Sequence, residues 1–380
     1  MRILHTADLH LGRQFNGISL DDDQAHVLGQ IVEALKEHDA DVLIVAGDIY
    51  DRAAPPASAV RQFNAFLSRV VQETRAAIVM IAGNHDSADR ISSMWSVPDV
   101  KRALIRGAVS ADEKALVLED RFGSVAFSAL PFSYEYAARE CFADETMATP
   151  EDVLKAQVAG ARRNVPDGAR WIVIAHAFVA GGSVSDSERS LVRVGGVETV
   201  SPEIFASAHY VALGHLHKPQ AVGVPHIRYS GSPLAFGFDE AGAAKSMSLV
   251  DIDGAGAVTI SQLPFKPLRG VRSIRGKHAE LLLAEPSDDF IRIVLTDDAP
   301  VIDGMKRLRA IFPNACELRY ERDARAPEIK ALGEGRAAVT DPLDVIADFL
   351  AFVREDAMSD AERNIAARGL DDLRQAEELA

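Results

Sequence analysis

Five short polar clusters in this 380-residue chain offer carboxylate, imidazole or carboxamide groups, and each comes directly after an apolar run. Asp8 and His10 follow the run at 3–7, and Gly47-Asp48 follows 42–46. Gly83-Asn84-His85-Asp86 follows 77–81, His176 follows 171–175, and Gly214-His215-Leu216-His217 follows 210–213. Asp, His and Asn are the side chains that hold divalent ions when thiolates are absent. Two such ions, roughly 3.5–4 Å apart, generate a hydroxide nucleophile and stabilise the entering and leaving oxygens at phosphorus. A centre of that kind needs a bridging carboxylate and several neutral ligands. Asp8, His10, Asp48 and His217 are assigned to one ion, and Asp48, Asn84, His176 and His215 to the other, with Asp48 as the bridge. His85 is expected to point towards substrate, where an imidazolium stabilises the oxyanion or protonates the leaving oxygen. A single His or Asp at the end of a strand is usually a turn or cap residue. Five complementary clusters, all at strand carboxyl ends, make a purely structural account hard to sustain. The remaining histidines, His5, His26, His38, His209, His226 and His278, are read as structural.

The apolar runs read as buried strands, and the carboxyl edge of an open α/β sheet is where ligands bind. Residues 20–38 have the apolar spacing of an amphipathic helix through Val27, Ile31 and Leu35. Residues 56–75 repeat it through Val60, Phe63, Phe66, Leu67 and Val70. Strand, helix and strand in succession imply parallel pairing with right-handed crossovers. Alternation at 122–131 and 227–263 adds antiparallel strands, so the fold class is α/β, a two-layered mixed β-sheet sandwich flanked by helices. Thr149-Pro150-Glu151-Asp152 starts a helix running to about residue 164, and Ser201-Pro202-Glu203 starts a shorter one. The polar stretch 181–200 is placed as a loop beside the active edge.

Two prolines in 264–270 mark a boundary. Strand 290–295, helix 301–311 and strand 315–320 then form a small α/β unit, followed by a linker at 324–341 and a helical tail at 341–380. The tail carries an apolar stripe of Val345, Ile346, Phe349, Leu350, Phe352 and Val353. A capping box follows at Ser359 to Glu362, with Gly369 expected to end the second helix.

With 56 acidic against 41 basic residues the net charge is −15, which disfavours casual contact with nucleic acid. The tail alone holds 11 acids and 4 arginines, and bound divalent ions reverse the sign of the charge at the site, so a locally positive groove survives this objection. Cys141 and Cys316 lack CxxC spacing, which excludes a cysteine zinc site and suits a reducing compartment. With no long apolar span and a first strand at the start of the sequence, a cytoplasmic location is expected.

The order Asp8-x-His10, Gly47-Asp48-x-x-Asp51, Gly83-Asn84-His85-Asp86, His176, Gly214-His215-x-His217 resembles the calcineurin-like metallophosphoesterases. Ser185 to Arg189, Val194 to Glu198, Tyr210 to Gln220 and Ile227 to Pro233 look like the bacterial SbcD exonuclease subunit. Asp51-Arg52 also resembles the phosphatase branch, which implies that Asp51 orients the catalytic His85 and that Arg52 contacts phosphate. The SbcD resemblance implies two manganese ions, 3′-to-5′ exonuclease action on duplex DNA and endonuclease action on single strands, in double-strand-break repair. The implied partners are DNA, an SbcC-type ATPase bound through 341–380, and a second copy of the chain within a heterotetramer. The domains expected are a catalytic one at 1–265, a DNA-capping unit at 270–323 and an ATPase-binding tail at 341–380. A small-molecule phosphodiesterase or phosphoprotein phosphatase is the alternative enzyme. The attachments after Pro267 disfavour it. A non-catalytic scaffold is disfavoured by the complete ligand set.

Overall fold

Strands buried on both faces must send alternate side chains into two different cores, because successive residues point to opposite sides. Val42–Ala46 does so: Val42, Ile44 and Ala46 enter one core and Leu43 and Val45 another. The computed structural model describes residues 1–96, 102–188, 192–193, 196–197, 199–321, 343, 346–347, 350 and 358–378. It contains two six-stranded sheets. The first has the order Val258–Pro264, Ser246–Ile252, Arg2–Thr6, Val42–Ala46, Ala77–Ile81, Ala103–Arg106, and its last four strands are parallel. The second runs Gln220–Val222, Val224–Tyr229, Tyr210–Gly214, Arg170–His176, Gly123–Leu130, Leu116–Asp120, with its four inner strands parallel.

The layer between the sheets is built from Ile3, Ile44, Val79, Phe127, Ile174 and Ala212 among others. Asp21–Glu37 and Ala57–Glu73 cover the outer face of the first sheet through Val27, Ile31, Phe63 and Val70. Pro150–Arg162 covers the second through Leu154 and Val158, and its start is fixed by the expected capping box, Thr149 accepting from the Asp152 N–H. The expected sandwich of mixed sheets flanked by helices is therefore present. The start at Ser201 gives only the 3₁₀ turn Pro202–Phe205.

At the amino end of Arg170–His176, the buried Arg170 guanidinium pairs bidentately with Asp120 at 2.6 and 3.0 Å and also donates to the Gly123 and Asp253 carbonyls. Removing one partner of a buried pair costs roughly 3–5 kcal/mol. Since the two carbonyls remain, Asp120→Ala is expected at the low end, about 3 kcal/mol. Arg170 holds the Asp120 carboxyl far below the usual range. This stabilisation is thus fully present above the unfolded carboxylate value near ~4 and is lost as pH falls further. Urea unfolding of wild type and variant should differ at pH 7 and converge towards pH 2; a constant gap would exclude the ion pair as its source.

Val271–Gly276, Phe290–Leu295 and Ala315–Tyr320 form a separate parallel sheet over its own core of Ile291, Ile293, Leu295, Leu308 and Phe312. Its first strand was not foreseen. The expected helix at 301–311 shrinks to Gly304–Leu308, because Asp303 adopts a left-handed conformation (φ 52°) and the chain tightens again at the Ala310 N–H, which bonds back three residues to Arg307. The unit is seated on the two-sheet part: Phe290 stacks on Phe15 at 4.8 Å, Arg292 lies over Phe238 at 4.3 Å, and Arg269 pairs with Asp23. Residues 1–321 accordingly form one compact unit and 322–380 a second.

In the second unit, the Ser359 hydroxyl and N–H both bond to Glu362 as a capping box should, but the helix Asp360–Glu378 runs through Gly369 instead of ending there. No atom lies within 4 Å of a Cβ built at Gly369, and with no left-handed backbone to accommodate, an isolated glycine only weakens a helix. The linker at 324–341 lies outside the described residues, as do Val345, Phe349, Phe352 and Val353 of the apolar stripe. Among the described residues, no helix is long and apolar enough to cross a membrane.

Candidate metal centre

All five clusters meet at one edge of the sandwich. The loops after the first two parallel strands run side by side, with Asp8 N–H donating to the Gly47 carbonyl and His10 N–H to that of Asp48. Asp8 crosses to the other sheet by accepting from the His215 N–H at 2.9 Å. His176 does the same in reverse, its Nδ1 donating to the Ala46 carbonyl at 2.9 Å. Asp48 Oδ1 accepts the His85 N–H, while Oδ2 lies 3.5 Å from His176 Nε2, 3.7 Å from His10 Nε2 and 3.9 Å from His85 Nε2. One carboxylate oxygen thus faces three imidazoles from three different loops.

The backbone is strained where several of the expected ligands sit. Asp8 (φ 55°), His10 (φ 45°), Asp48 (φ 48°) and His215 (φ 112°) all adopt positive φ, a cost that persists only when surroundings hold it and that gathers at functional sites. Gly83 is required for a different reason: a Cβ there would lie 2.1 Å from Asp48 Oδ1.

The chemistry of the facing atoms decides whether cations fit. His176 commits its Nδ1 hydrogen to Ala46, so the Nε2 lone pair faces Asn84 Oδ1 at 3.0 Å. His215 Nδ1 lies 3.2 Å from the same oxygen. The Ser187 hydroxyl donates to Glu240 and accepts from His217 Nδ1 at 2.8 Å, leaving the His217 Nε2 lone pair 3.1 Å from His10 Nε2. His10 Nδ1 has no hydrogen-bond partner and turns towards Asp51 Oδ1 at 3.6 Å. The lone pairs fixed on His176 and His217 thus turn inwards beside the Asp48 carboxylate, an arrangement that divalent ions stabilise. The donor set therefore fits metal ions. Ligand atoms of Asp8, His10 and His217 lie within 4.8 Å of one another, as do those of Asp8, Asp48 and His176. A third such group joins His10, Asp51 and His85.

Burial, reinforced by neighbouring imidazoles, pushes His10 well below its ordinary pKa and His215 down to about 3, so both rings are neutral and able to ligate. Burial and the nearby Asp48 push Asp8 upwards. Burial acts on Asp48 in the same sense, but the surrounding histidines and the His85 N–H outweigh it and hold that carboxyl below its ordinary range.

All nine expected site residues come together here, with one change in how Asp51 acts. His85 Nδ1 donates to the Asp51 main-chain carbonyl at 2.7 Å, so the orienting contact is backbone, while the carboxylate faces His10 and Arg13. His5, outside the site as expected, is buried against the Tyr210 hydroxyl. Cys141 and Cys316 are both free thiols.

Several supporting residues escaped the sequence reading. Asp86 accepts from the Ile49, Tyr50 and Gly83 N–H groups and ties two ligand loops together. Glu188 accepts the His217 N–H, and Phe236 meets the rings of His10 and His217 edge-on. Glu240 would be raised by burial alone, yet contacts with His217, Lys245 and Ser187 hold it down to about 2. Lys245 also donates to the His217 carbonyl and Ser232. Only the run of hydroxyls and carboxylate at 185–188 hinted at this support. Partners that orient a metal-binding imidazole are worth about 10–100-fold in metal affinity. Ser187→Ala should weaken metal binding by about that factor in a titration followed by calorimetry; unchanged affinity would exclude Ser187 from orienting His217.

The calcineurin-like phosphoesterase family matches residues 1–219, which include all nine expected site residues. Residues 264–354 match the SbcD C-terminal family, described as a type 5 capsule protein repressor C-terminal domain. Among solved structures, TT1561 of Thermus thermophilus is similar over 69% of this chain and 98% of its own, with 16% identity and a TM-score of 0.38. With the phosphoesterase family covering more than half of its length and the SbcD domain following it, the chain belongs to the calcineurin-like phosphoesterase family as an SbcD-type member.

Proposed function

We propose that this protein is a two-metal DNA phosphodiesterase, the nuclease subunit of a double-strand-break repair complex. It would use manganese for 3′-to-5′ exonuclease action on duplex ends and endonuclease action on single strands. The observation that carries the reading is Asp48 Oδ2 facing His10, His85 and His176 within a shell of convergent acceptors. Asp8, His10, Asp48 and His217 would hold one ion, and Asp48, Asn84, His176 and His215 the other. Such ions supply an activated hydroxide and charge stabilisation at phosphorus.

His85 supplies what the ligands do not. With Nδ1 fixed on the Asp51 carbonyl, its Nε2 is directed into the site, where in the protonated form it donates to the leaving 3′ oxygen. Phe236 and the sandwich floor keep the ligand rings dry, which strengthens every charge interaction above them.

The unit at 270–323, seated on Phe15 and Phe238, is assigned as a cover over the DNA groove beside the catalytic domain at 1–265. The tail at 341–380 is assigned to the root of an SbcC-type ATPase, within a heterotetramer holding two copies of this chain in the cytoplasm. Support comes from the SbcD-type C-terminal match. The direct test is digestion of linear duplex DNA with Mn²⁺, compared with Mg²⁺ and with a phosphomonoester. Manganese-dependent loss of duplex is the expected result, and hydrolysis confined to the monoester would overturn the nuclease assignment.

A further inference from the structure

Three aromatic rings lead outwards from the ligand His176 to the surface. Phe132 meets the His176 ring edge-on at 6.5 Å, Tyr134 meets Phe132 edge-on at 4.9 Å, and Tyr136 lies nearly parallel to Tyr134, 11° between planes and 5.7 Å between centroids. Exposure rises along the series: Phe132 is half-buried, Tyr134 is 45% exposed and Tyr136 is 70% exposed. The backbone beneath the ladder is fixed, since the Phe132 N–H donates to the carbonyl of Ala82 and the Tyr134 carbonyl accepts from the Ala137 and Ala138 N–H groups at the start of the helix Glu135–Phe142. Packing does not account for the outer end. A ring 70% exposed buries too little area to stabilise that helix, whose inward face is made by Ala138 instead.

We propose that Tyr134 and Tyr136 form a stacking platform for an unpaired base of the nucleic-acid strand entering the metal centre, the base lying on the outer face of Tyr136. The inference rests on the nuclease reading for the ligand class and for the direction of the strand. The rings supply the stacking face, because a pair of near-parallel aromatics offers a flat π-surface that any base can use regardless of sequence. It also answers the charge problem. On a chain with net charge −15, contacts to phosphate are scarce, whereas stacking needs no cation. Continuity with His176 through Phe132 favours a base over an apolar peptide segment, since it puts the platform beside the centre that a scissile phosphate would occupy.

The probe is a phosphorothioate single-stranded oligonucleotide with one 2-aminopurine, bound to the full-length protein. Wild type should quench the fluorophore. Tyr136→Ala should lose the quench and bind roughly 5- to 100-fold more weakly, the equivalent of one base stack, with Tyr136→Trp restoring both. Because the lost contact is uncharged, the ratio of wild-type to Tyr136→Ala affinity should stay constant as salt is raised. Equal binding by wild type and Tyr136→Ala, or no quench by wild type, would overturn the platform. The two readings fail separately. Quenching without cleavage of duplex DNA removes the nuclease assignment alone, and cleavage indifferent to Tyr136 removes the platform alone.

Discussion

Replacement of Asp48 by alanine is expected to remove bound metal and phosphodiester hydrolysis together. Its Oδ2 is the atom approached by His10, His85 and His176, and its Oδ1 fixes the loop that carries Asn84 and His85. No other carboxylate faces all three of these imidazoles in the same way. Asp8 already accepts the His215 N–H, and Asp86 is committed to three backbone N–H groups. Since enzymes of this kind owe most of their acceleration to the assembled site, activity should fall on the order of 10⁴-fold or more. Elemental analysis of the purified variant should find neither ion. Two ions retained per chain would show that Asp48 is not the bridge.

His85→Ala separates proton transfer from ligation. Its Nδ1 is held by a main-chain carbonyl and its Nε2 is 3.9 Å from Asp48, farther than the corresponding atoms of His10 and His176. The variant should keep both ions and lose about 10²- to 10⁴-fold in turnover, the usual contribution of a positioned general acid. A phosphodiester with a more acidic leaving group, which needs no proton, should recover much of that loss. The grouping of His85 with His10 and Asp51 supplies the competing outcome: if one ion disappears with the imidazole, His85 is a ligand. Because the contact to His85 comes from the Asp51 backbone, Asp51→Ala should leave its orientation intact and cost far less.

Much of this protein was legible in its sequence for a physical reason. A parallel strand buried on both faces must be a continuous apolar run, so Val42–Ala46 and Ala77–Ile81 show their bounds directly, and polar residues just after such runs can only lie at the carboxyl edge. The capping box at Thr149 and the helix Asp21–Glu37 were equally plain, because their signals are local. What the tertiary structure alone decided is everything that depends on two distant segments meeting. Ser187 lies far from Glu240 and Lys245 in the chain, and nothing in their spacing announces that they converge on His217. The strand Val271–Gly276 is only partly buried, so it lacks the apolar run that marks the others. His85 is held by the main-chain carbonyl of Asp51 and not by its carboxylate: side-chain chemistry is written in the sequence, whereas the direction of a backbone carbonyl is set by the fold.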